Sequence, residues 1–197
     1  MSTVKSKKLQ VGTDATATNN FTIYQPATPD GTLRVGVGNA DSPTEVGRFN
    51  SNGYVATNAP AFSAYLSSNQ SISTGTWTKI QYDTKEFDSD SDYDNTTNYR
   101  YTPSVAGYYQ VNAGGYIING TGFIGTAIYK NGSFAKRGSS AAPSSATSVQ
   151  SINSAIIYMN GTTDYLEVYV YHSYGSARSV SGDNSLTYFQ AFLAKAV

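Results

Sequence analysis

The sequence predicts an all-β protein whose main domain is an antiparallel β-sandwich. Short segments alternate apolar with polar residues, as half-buried strands do, and about ten such segments follow one another. Gly, Asn, Ser and Pro separate them at intervals of roughly 8–15 residues. No segment shows the repeat of an amphipathic helix. Many short strands joined by turns, without helices to cover a parallel sheet, favour a sandwich.

The aromatic segment 99–111 is the clearest single strand signal. Pro103 has no backbone N–H to donate, which places it at a strand end or edge. Gly107 is expected to allow a backbone bend. After it, Tyr109 and Val111 share one face of an extended strand, while Tyr108 and its even-numbered neighbours share the other. We therefore expect a strand with one buried face.

Composition excludes several classes of partner and site. The 13 basic and 13 acidic residues balance, so no overall field attracts nucleic acid or an anionic membrane. No apolar run is long enough to insert in a membrane, and the first residues lack the apolar centre of a signal peptide, so we expect a soluble chain that is not exported. With no cysteine, stability must come from packing or from oligomerisation.

Residues 1–60 are interpreted as an extended attachment arm and residues 61–197 as the head domain. Lys5, Lys7 and Lys8 make the first residues basic, which fits either an anchor on an acidic surface or a frayed terminus. The β-prone pieces between 21 and 55 are too short to bury a core, so they are expected to pair with copies of themselves or with another protein. The boundary is predicted at Asn58-Ala59-Pro60.

Within the head, several pairings and loops can be predicted. Asn131-Gly132 is a strong hairpin signal. Segments 151–159 and 165–174 are expected to pair with each other, and 138–148 and 175–184 to be exposed loops. Phe62 and Leu66 should face the core or a neighbouring subunit. Trp77, which starts a predicted strand at 77–82, fits the core or an interface better than a sugar-stacking platform.

Four motifs in the head occur together and in one order. They are the aromatic–Gly–aromatic set Tyr101, Gly107 and Tyr109, the Tyr129-Lys130-Asn131-Gly132 turn, the strand that follows Gly161 and Asp164, and the closing Phe189–Leu193. In these motifs the chain resembles the globular heads of the first complement component and their tumour-necrosis-factor-like relatives. The resemblance implies a jelly-roll topology and a homotrimer. With the surplus of tyrosine on strand faces, it makes these residues candidates for the trimer interface: Tyr109, Tyr169, Tyr171, Tyr188 and Phe192.

The acidic run from Asp88 to Asp94 is the one stretch that invites metal chemistry. Asp88, Asp90, Asp92 and Asp94 are spaced by two, so on an extended segment they could all point one way and bind calcium. The run lacks the turn glycine and the final glutamate of an EF-hand loop. A solvated acidic loop without a metal is the alternative, and no other cofactor is expected.

Nothing else in the sequence indicates catalysis. His172 is the only histidine, and its neighbours form no recognisable nucleophile turn. Metal sites built from imidazole or thiolate need more such ligands than the chain has. A pair of carboxylates for glycoside hydrolysis depends on the fold and stays open as a third possibility. We therefore interpret the chain as a protein that is not an enzyme.

From the sequence, we interpret the chain as a structural protein of a bacteriophage virion. In this hypothesis a trimeric head decoration or head-fibre protein, assembled in the host cytoplasm, is anchored to capsid or tail by its N-terminal arm, and its head projects from the particle. The short β pieces before residue 60 resemble repeats in phage fibre and virion-surface proteins. The alternative is a tail fibre or receptor-binding module that recognises a host glycan or protein through its loops.

Overall fold

The computed structural model describes residues 8–12, 15–16, 19–56 and 59–197, and excludes the side chains of residues 54–56. The chain divides into two compact units, with the division between Ala59 and Pro60. Apart from a 3-10 turn at Asn19, every regular element in the described ranges is a β-strand. Lys5 and Lys7, two of the predicted anchor residues, and Asn58 of the predicted boundary lie outside the described residues.

The first unit is one five-stranded antiparallel sheet. Its strands follow chain order across the sheet, so each pairs with the next one along the chain. The strands are β1 (Lys8–Val11), β2 (Phe21–Tyr24), β3 (Leu33–Val37), β4 (Thr44–Asn50) and β5 (Gly53–Ala56). These correspond closely to the short pieces expected from the sequence, with β1 as an addition.

The second unit contains thirteen strands in two sheets, and several of the thirteen are only two or three residues long. In chain order the strands are β6 (Ala61–Tyr65), β7 (Gln70–Ile72), β8 (Thr78–Lys79), β9 (Thr84–Asp88), β10 (Tyr93–Asp94), β11 (Arg100–Tyr101), β12 (Ala106–Gly120), β13 (Ile124–Lys130), β14 (Ser133–Ala141), β15 (Thr147–Asn160), β16 (Leu166–His172), β17 (Arg178–Val180) and β18 (Tyr188–Ala196).

The two sheets of this unit form the antiparallel jelly-roll sandwich that the sequence predicts. One, called here the β12 sheet, runs β7-β17-β12-β18-β6-β9, with β15 on the other edge of β12. The second, the β16 sheet, runs β10-β11-β16-β13-β14, with β8 also paired to β16. All strand pairs are antiparallel. The long β12 is the central strand of its sheet because it pairs along both edges.

Aromatic rings fill one end of the core between the sheets. Phe62 stacks on Tyr101 at 4.3 Å between ring centroids and meets Phe189 edge-on at 4.9 Å. Tyr101 in turn meets Tyr109 at 5.8 Å, and all four rings are essentially inaccessible to solvent. The family-like Tyr101 and Tyr109 are therefore core residues, which explains why both positions carry large aromatics.

Gly107 has a different role from the one expected. It lies inside β12 and is not at a bend, and its backbone does not adopt a positive φ. A Cβ atom at this position would lie 2.5 Å from the carbonyl oxygen of Lys195 and 2.6 Å from Leu193 Cδ1. The bulge where β12 pairs with β18 brings these atoms close. Glycine is required here by close approach of the neighbouring strand.

Three local predictions in the head were wrong. β15 pairs with β12 and β16 pairs with β13, so segments 151–159 and 165–174 lie in different sheets and do not pair with each other. The predicted loop 138–148 is shortened to 142–146, because β14 extends to Ala141 and β15 begins at Thr147. The predicted loop 175–184 contains β17, which pairs with β7 and β12.

No helix in the described part of the chain is long and apolar enough to cross a membrane.

Candidate functional site

The outward side of the β12 sheet carries a set of large apolar side chains that the fold leaves open. Alternation along the strands turns Val111 and its odd-numbered neighbours into the core and the even positions outward. Six large side chains on this side are exposed by 43–59%. They define the β12 outer face: Phe87, Tyr108, Ile152, Ile156, Tyr158 and Phe192.

Strand register places these residues next to one another. Tyr108 on β12 is directly opposite Tyr158 on β15, and their rings are 5.5 Å apart. Gln110 has Ile156 opposite on one side and Phe192 opposite on the other. Three neighbouring strands therefore contribute exposed apolar side chains to the same face, around the polar side chain of Gln110.

A band of polar side chains crosses the middle of the face, and its members bond to one another. Gln110 Nε2 donates to Ser154 Oγ at 2.9 Å, and Ser154 Oγ donates to Asn112 Oδ1 at 3.0 Å. Gln190 Nε2 donates to Ser63 Oγ at 3.0 Å. These internal bonds lower the number of polar groups that another protein surface would leave unsatisfied if it covered the band.

A second part of the polar band borders an open depression of about 430 Å³. Ser63 Oγ donates to Glu86 Oε2 at 2.6 Å. Glu86 is at the exposed edge strand β9, and it lines the depression together with Ile152 and Tyr188. The depression is open and shallow, and its lining mixes apolar with amide and hydroxyl groups, which fits a protruding side chain of another protein.

The five predicted interface residues are placed in three different environments. Phe192 and Tyr188 lie on the outward side of β18, on or beside the β12 outer face. Tyr169 and Tyr171 lie on the outward side of the β16 sheet. Tyr109 is wholly buried in the core of its own chain, so its side chain has no area to offer a partner. The prediction for Tyr109 was therefore wrong.

Sequence reasoning missed most of the β12 outer face. Tyr108, Ile156 and Tyr158 are as exposed as Phe192 or nearly so. The sequence did contain a signal for Tyr108. It is adjacent to Tyr109 on a strand whose odd-numbered side chains are buried, so the side chain of Tyr108 lies on the other face. On β15 both parities carry large apolar residues, and the sequence does not say which set faces inward.

A second aromatic cluster surrounds Trp77 on the outward side of the β16 sheet. Trp77 lies 5.2 Å from Phe134 and 5.4 Å from Tyr171 between ring centroids. Tyr129 contacts both Phe134, at 4.4 Å, and Tyr169, at 4.1 Å. Trp77 is half-buried by these neighbours and is not in the sandwich core. The cluster packs mainly against itself.

Two of the family-like motifs meet at one end of the sandwich. Asn131 and Gly132 both have positive φ and form the two-residue turn between β13 and β14, which confirms the hairpin expected there. Asn131 Nδ2 donates to Asp164 Oδ1, and Lys130 Nζ lies 2.7 Å from Asp164 Oδ2. These contacts, led by the Lys130 ammonium, lower the pKa of the Asp164 carboxyl. The Lys-Asn-Gly turn and the later aspartate form one joint.

The acidic run does not adopt the extended shape that would align its carboxylates. Ser91 has a φ of 61°, and the chain turns between β9 and β10. Within the described residues, no three His, Cys, Asp or Glu side chains are grouped so that they could hold a metal ion. Asp92 instead accepts a hydrogen bond from the backbone N–H of Ser104, and burial raises its pKa. Asp90 is exposed.

The other two carboxylates organise the loop itself. Asp88 pairs with Lys85 at 3.0 Å and accepts hydrogen bonds from backbone N–H groups of the loop. Asp94 accepts the N–H groups of Thr97 and Thr96, each at 3.0 Å, and these bonds hold its pKa well below the ordinary range. Both carboxylates therefore have structural roles without any cation.

His172, the one histidine, lies wholly inside the sandwich. Its Nε2 is 3.3 Å from the carbonyl oxygen of Ile72, and its Nδ1 has no hydrogen-bond partner among the described residues. A side chain without solvent access has no route to a substrate. The position fits a structural histidine.

Lys8, the one predicted anchor residue within the described part, lies on β1 at the edge of the first sheet. Its Nζ is 3.5 Å from Asp41 Oδ1. Its charge is therefore partly compensated within the same unit, although the side chain stays exposed.

Comparisons with known proteins identify the fold. No protein-family model matches the sequence, and no curated protein matches it. Among solved structures, the globular domain of the zebrafish complement 1qA protein matches with a TM-score of 0.52 and 15% identity, over 70% of this chain and 99% of that domain. Two crystal structures of murine APRIL also match. The structure at pH 5.0 has a TM-score of 0.55 and 11% identity, and the structure at pH 8.0 has a TM-score of 0.55 and 8% identity. Each match covers 69% of this chain and 99% of that one. The resemblance to complement-type and tumour-necrosis-factor-like heads is thus confirmed as a similarity of fold.

Proposed function

We propose that this chain is a non-enzymatic structural protein that associates with itself as a homotrimer through the β12 outer face. The observation that carries the proposal is that six large apolar side chains are exposed by 43–59% on this one face. Large exposed apolar patches on soluble proteins, especially those rimmed by polar residues, mark interaction sites. The number three rests on the motif resemblance to trimeric heads.

The particle proposed for this trimer is a bacteriophage virion, with the chain as a surface decoration or head-fibre protein. The support is the combination of a compact sandwich with a small sheet of short strands that precedes it. In this proposal the first sixty residues contact capsid or tail proteins and the head projects. Nothing in the proposal requires a cofactor, and calcium would be a structural addition only.

Recognition of a host glycan is a second candidate function, and the Trp77 cluster favours it. Exposed aromatic faces stack on the apolar faces of sugar rings, and Arg137 lies over the Trp77 ring at 5.8 Å, where it could donate to hydroxyl groups. Glycan recognition comes second to self-association because the rings of the cluster bury one another. Binding of the purified protein to immobilised host polysaccharide, lost in Trp77→Ala, would favour this function.

Sedimentation equilibrium of the purified full chain tests the self-association. We expect a single species of three chains at micromolar concentration, and a monomer at that concentration would contradict the proposal. Labelling of particles from the source with an antibody against the chain, followed by electron microscopy, tests the location. Regularly spaced label on heads supports decoration, label on tails supports the fibre, and absence of label from all particles contradicts the virion role.

Deletion of residues 1–59 separates attachment from assembly. Because the two units have separate internal contacts, we expect the remaining chain to fold and to assemble as the full chain does. It should no longer bind purified particles. Binding equal to that of the full chain would assign attachment to the head and would overturn the arm hypothesis.

A further inference from the structure

The first unit is a sheet whose two faces differ sharply in composition. Cross-strand register places Leu9 opposite Ile23, Val11 opposite Phe21 and Ile23 opposite Val35. Residues directly opposite share a face, so these side chains lie together. With Leu33, which has the parity of Val35, they define the N-terminal apolar face: Leu9, Val11, Phe21, Ile23, Leu33 and Val35. None of the six carries a charge or a hydrogen-bonding side chain.

The apolar face is the more open of the two. Leu9 and Val11 are exposed by 59% and 56%, and Phe21 and Leu33 by 49% and 48%. A single-layer sheet in water would normally turn such a face toward a core. Here the first unit has no second layer of its own in the described residues, since its five strands form one sheet.

The opposite face is polar, and the unit's own residues cover part of it. Thr22, on that face, is wholly buried. Pro43 and Tyr24 approach Gly36 so closely that a Cβ there would lie 2.7 Å from Pro43 Cβ and 3.1 Å from Tyr24 Cε1. Ion pairs complete the cover, with Arg34 paired to Glu45 at 3.0 Å and also to Asp30. The side chains that the polar face still exposes, such as Gln10, are hydrophilic, whereas the apolar face exposes side chains that gain from burial.

The size of the apolar face limits what can cover it. Five strands about 4.8 Å apart, with about five residues each at about 3.3 Å, give a flat area of roughly 400 Å². A stable complex between independent proteins buries about 800 Å² per partner. The face is thus too small to hold a free partner firmly. The face is large enough to bind a surface that is already held nearby at high local concentration, as the copies of one chain are within an assembled oligomer.

We infer that the N-terminal apolar faces of the three assembled chains turn toward the symmetry axis and pack together there, so that each face is covered by the same face of the two other copies. The inference rests on the proposed homotrimer, which supplies the local concentration. It adds a second self-association surface, in which the apolar faces of the first units are removed from water.

Cysteine cross-linking tests this arrangement, because the chain has no cysteine of its own. Leu9→Cys places a thiol on the apolar face, and Gln10→Cys places one on the adjacent residue, which is also exposed but on the opposite face. Packed sheets lie about 10 Å apart, so a bismaleimide of about that span can join thiols across the contact. We expect Leu9→Cys to give covalent dimers of chains and Gln10→Cys to remain monomeric on a denaturing gel.

Thiol accessibility gives a second readout on the same variants. The Leu9→Cys thiol should react with a bulky maleimide at least tenfold more slowly than the Gln10→Cys thiol in the assembled protein. Adding Phe192→Arg, which we expect to dissociate the assembly, should abolish both the cross-link and the protection. Circular dichroism should show the same β content in all variants.

Several results would overturn the inference. A protein that sediments as a trimer, yet shows equal reactivity of the two thiols and no covalent dimer, would leave the proposed function standing and would contradict the second self-association surface. Protection of the Leu9→Cys thiol without any cross-link between chains would mean that another surface covers the face. A monomer in sedimentation would instead contradict the proposed homotrimer itself, and the inference with it.

Discussion

Asn131 and Asp164 join two distant turns of the head through a pair of hydrogen bonds. Asn131 Nδ2 donates to Asp164 Oδ1 at 2.7 Å, and Asn131 Oδ1 accepts the N–H of Tyr165 at 2.9 Å. Asp164 also accepts the N–H of Asn160 at 3.0 Å. One carboxylate and one amide therefore tie the β13–β14 hairpin to the connection that carries the chain from the β12 sheet to the β16 sheet.

Asp164→Asn is expected to destabilise the head by about 1–3 kcal/mol, because hydrogen bonds to a charged group are worth about that much. The lowered pKa also gives a pH dependence. A carboxyl whose folded pKa is below its ordinary value of 3.8 contributes stability that is complete above that value and is lost as pH falls through the folded pKa. Urea unfolding at pH 7 and at about pH 3 measures both effects.

The control for this prediction is a double-mutant cycle with Asn131→Ala. The two changes should be less than additive, because each removes the same joint. The difference in stability between wild type and Asp164→Asn should shrink at the lower pH. Full additivity, or a difference that does not change with pH, would show that the two residues act independently.

Phe192→Arg should dissociate the proposed trimer, because a charge would be placed in the middle of the β12 outer face without a partner. Phe134→Arg is a matched control. Phe134 is exposed by 47% and Phe192 by 48%, but Phe134 lies on the outward side of the other sheet. Sedimentation velocity should show monomers for Phe192→Arg and wild-type assembly for Phe134→Arg. The reverse pattern would move the interface to the Trp77 cluster.

The fold was more predictable than the surface that the function needs. Alternation along β12 and the Asn131-Gly132 turn are local signals, and both gave correct elements. The partners of β15 and β16 depend on a crossing between sheets, which local sequence does not encode. Tyr109 was wrongly assigned to an interface for the same reason. The alternation along the strand correctly predicted the face on which its side chain lies. Only the packing of Phe62 and Tyr101 shows that this face is turned to the core.

Gly107→Ala should destabilise the head by about 1–3 kcal/mol, the usual cost of forcing an atom into a packed site. The added Cβ would meet the Lys195 carbonyl oxygen at 2.5 Å, and a backbone atom cannot easily move away. Gly175→Ala is the control, since a Cβ at Gly175 meets nothing within 4 Å and the residue has no positive φ. Thermal unfolding should show a clear loss for Gly107→Ala and a change within about 0.5 kcal/mol for Gly175→Ala. Equal effects would mean that strand β18 adjusts to the extra methyl group.

Removal of divalent ions is expected to leave the melting temperature within a few degrees. Asp94 already accepts backbone N–H groups, Asp88 is paired with Lys85, and Asp92 accepts Ser104, so three of the four carboxylates of the run are stabilised by the chain itself. A site that depended on calcium would instead lose the binding free energy when the ion is removed. Differential scanning calorimetry in EDTA, in calcium chloride and in sodium chloride of equal ionic strength separates a specific ion from screening. A large loss in EDTA that calcium restores and sodium does not would contradict the expectation and would make the acidic run a calcium site.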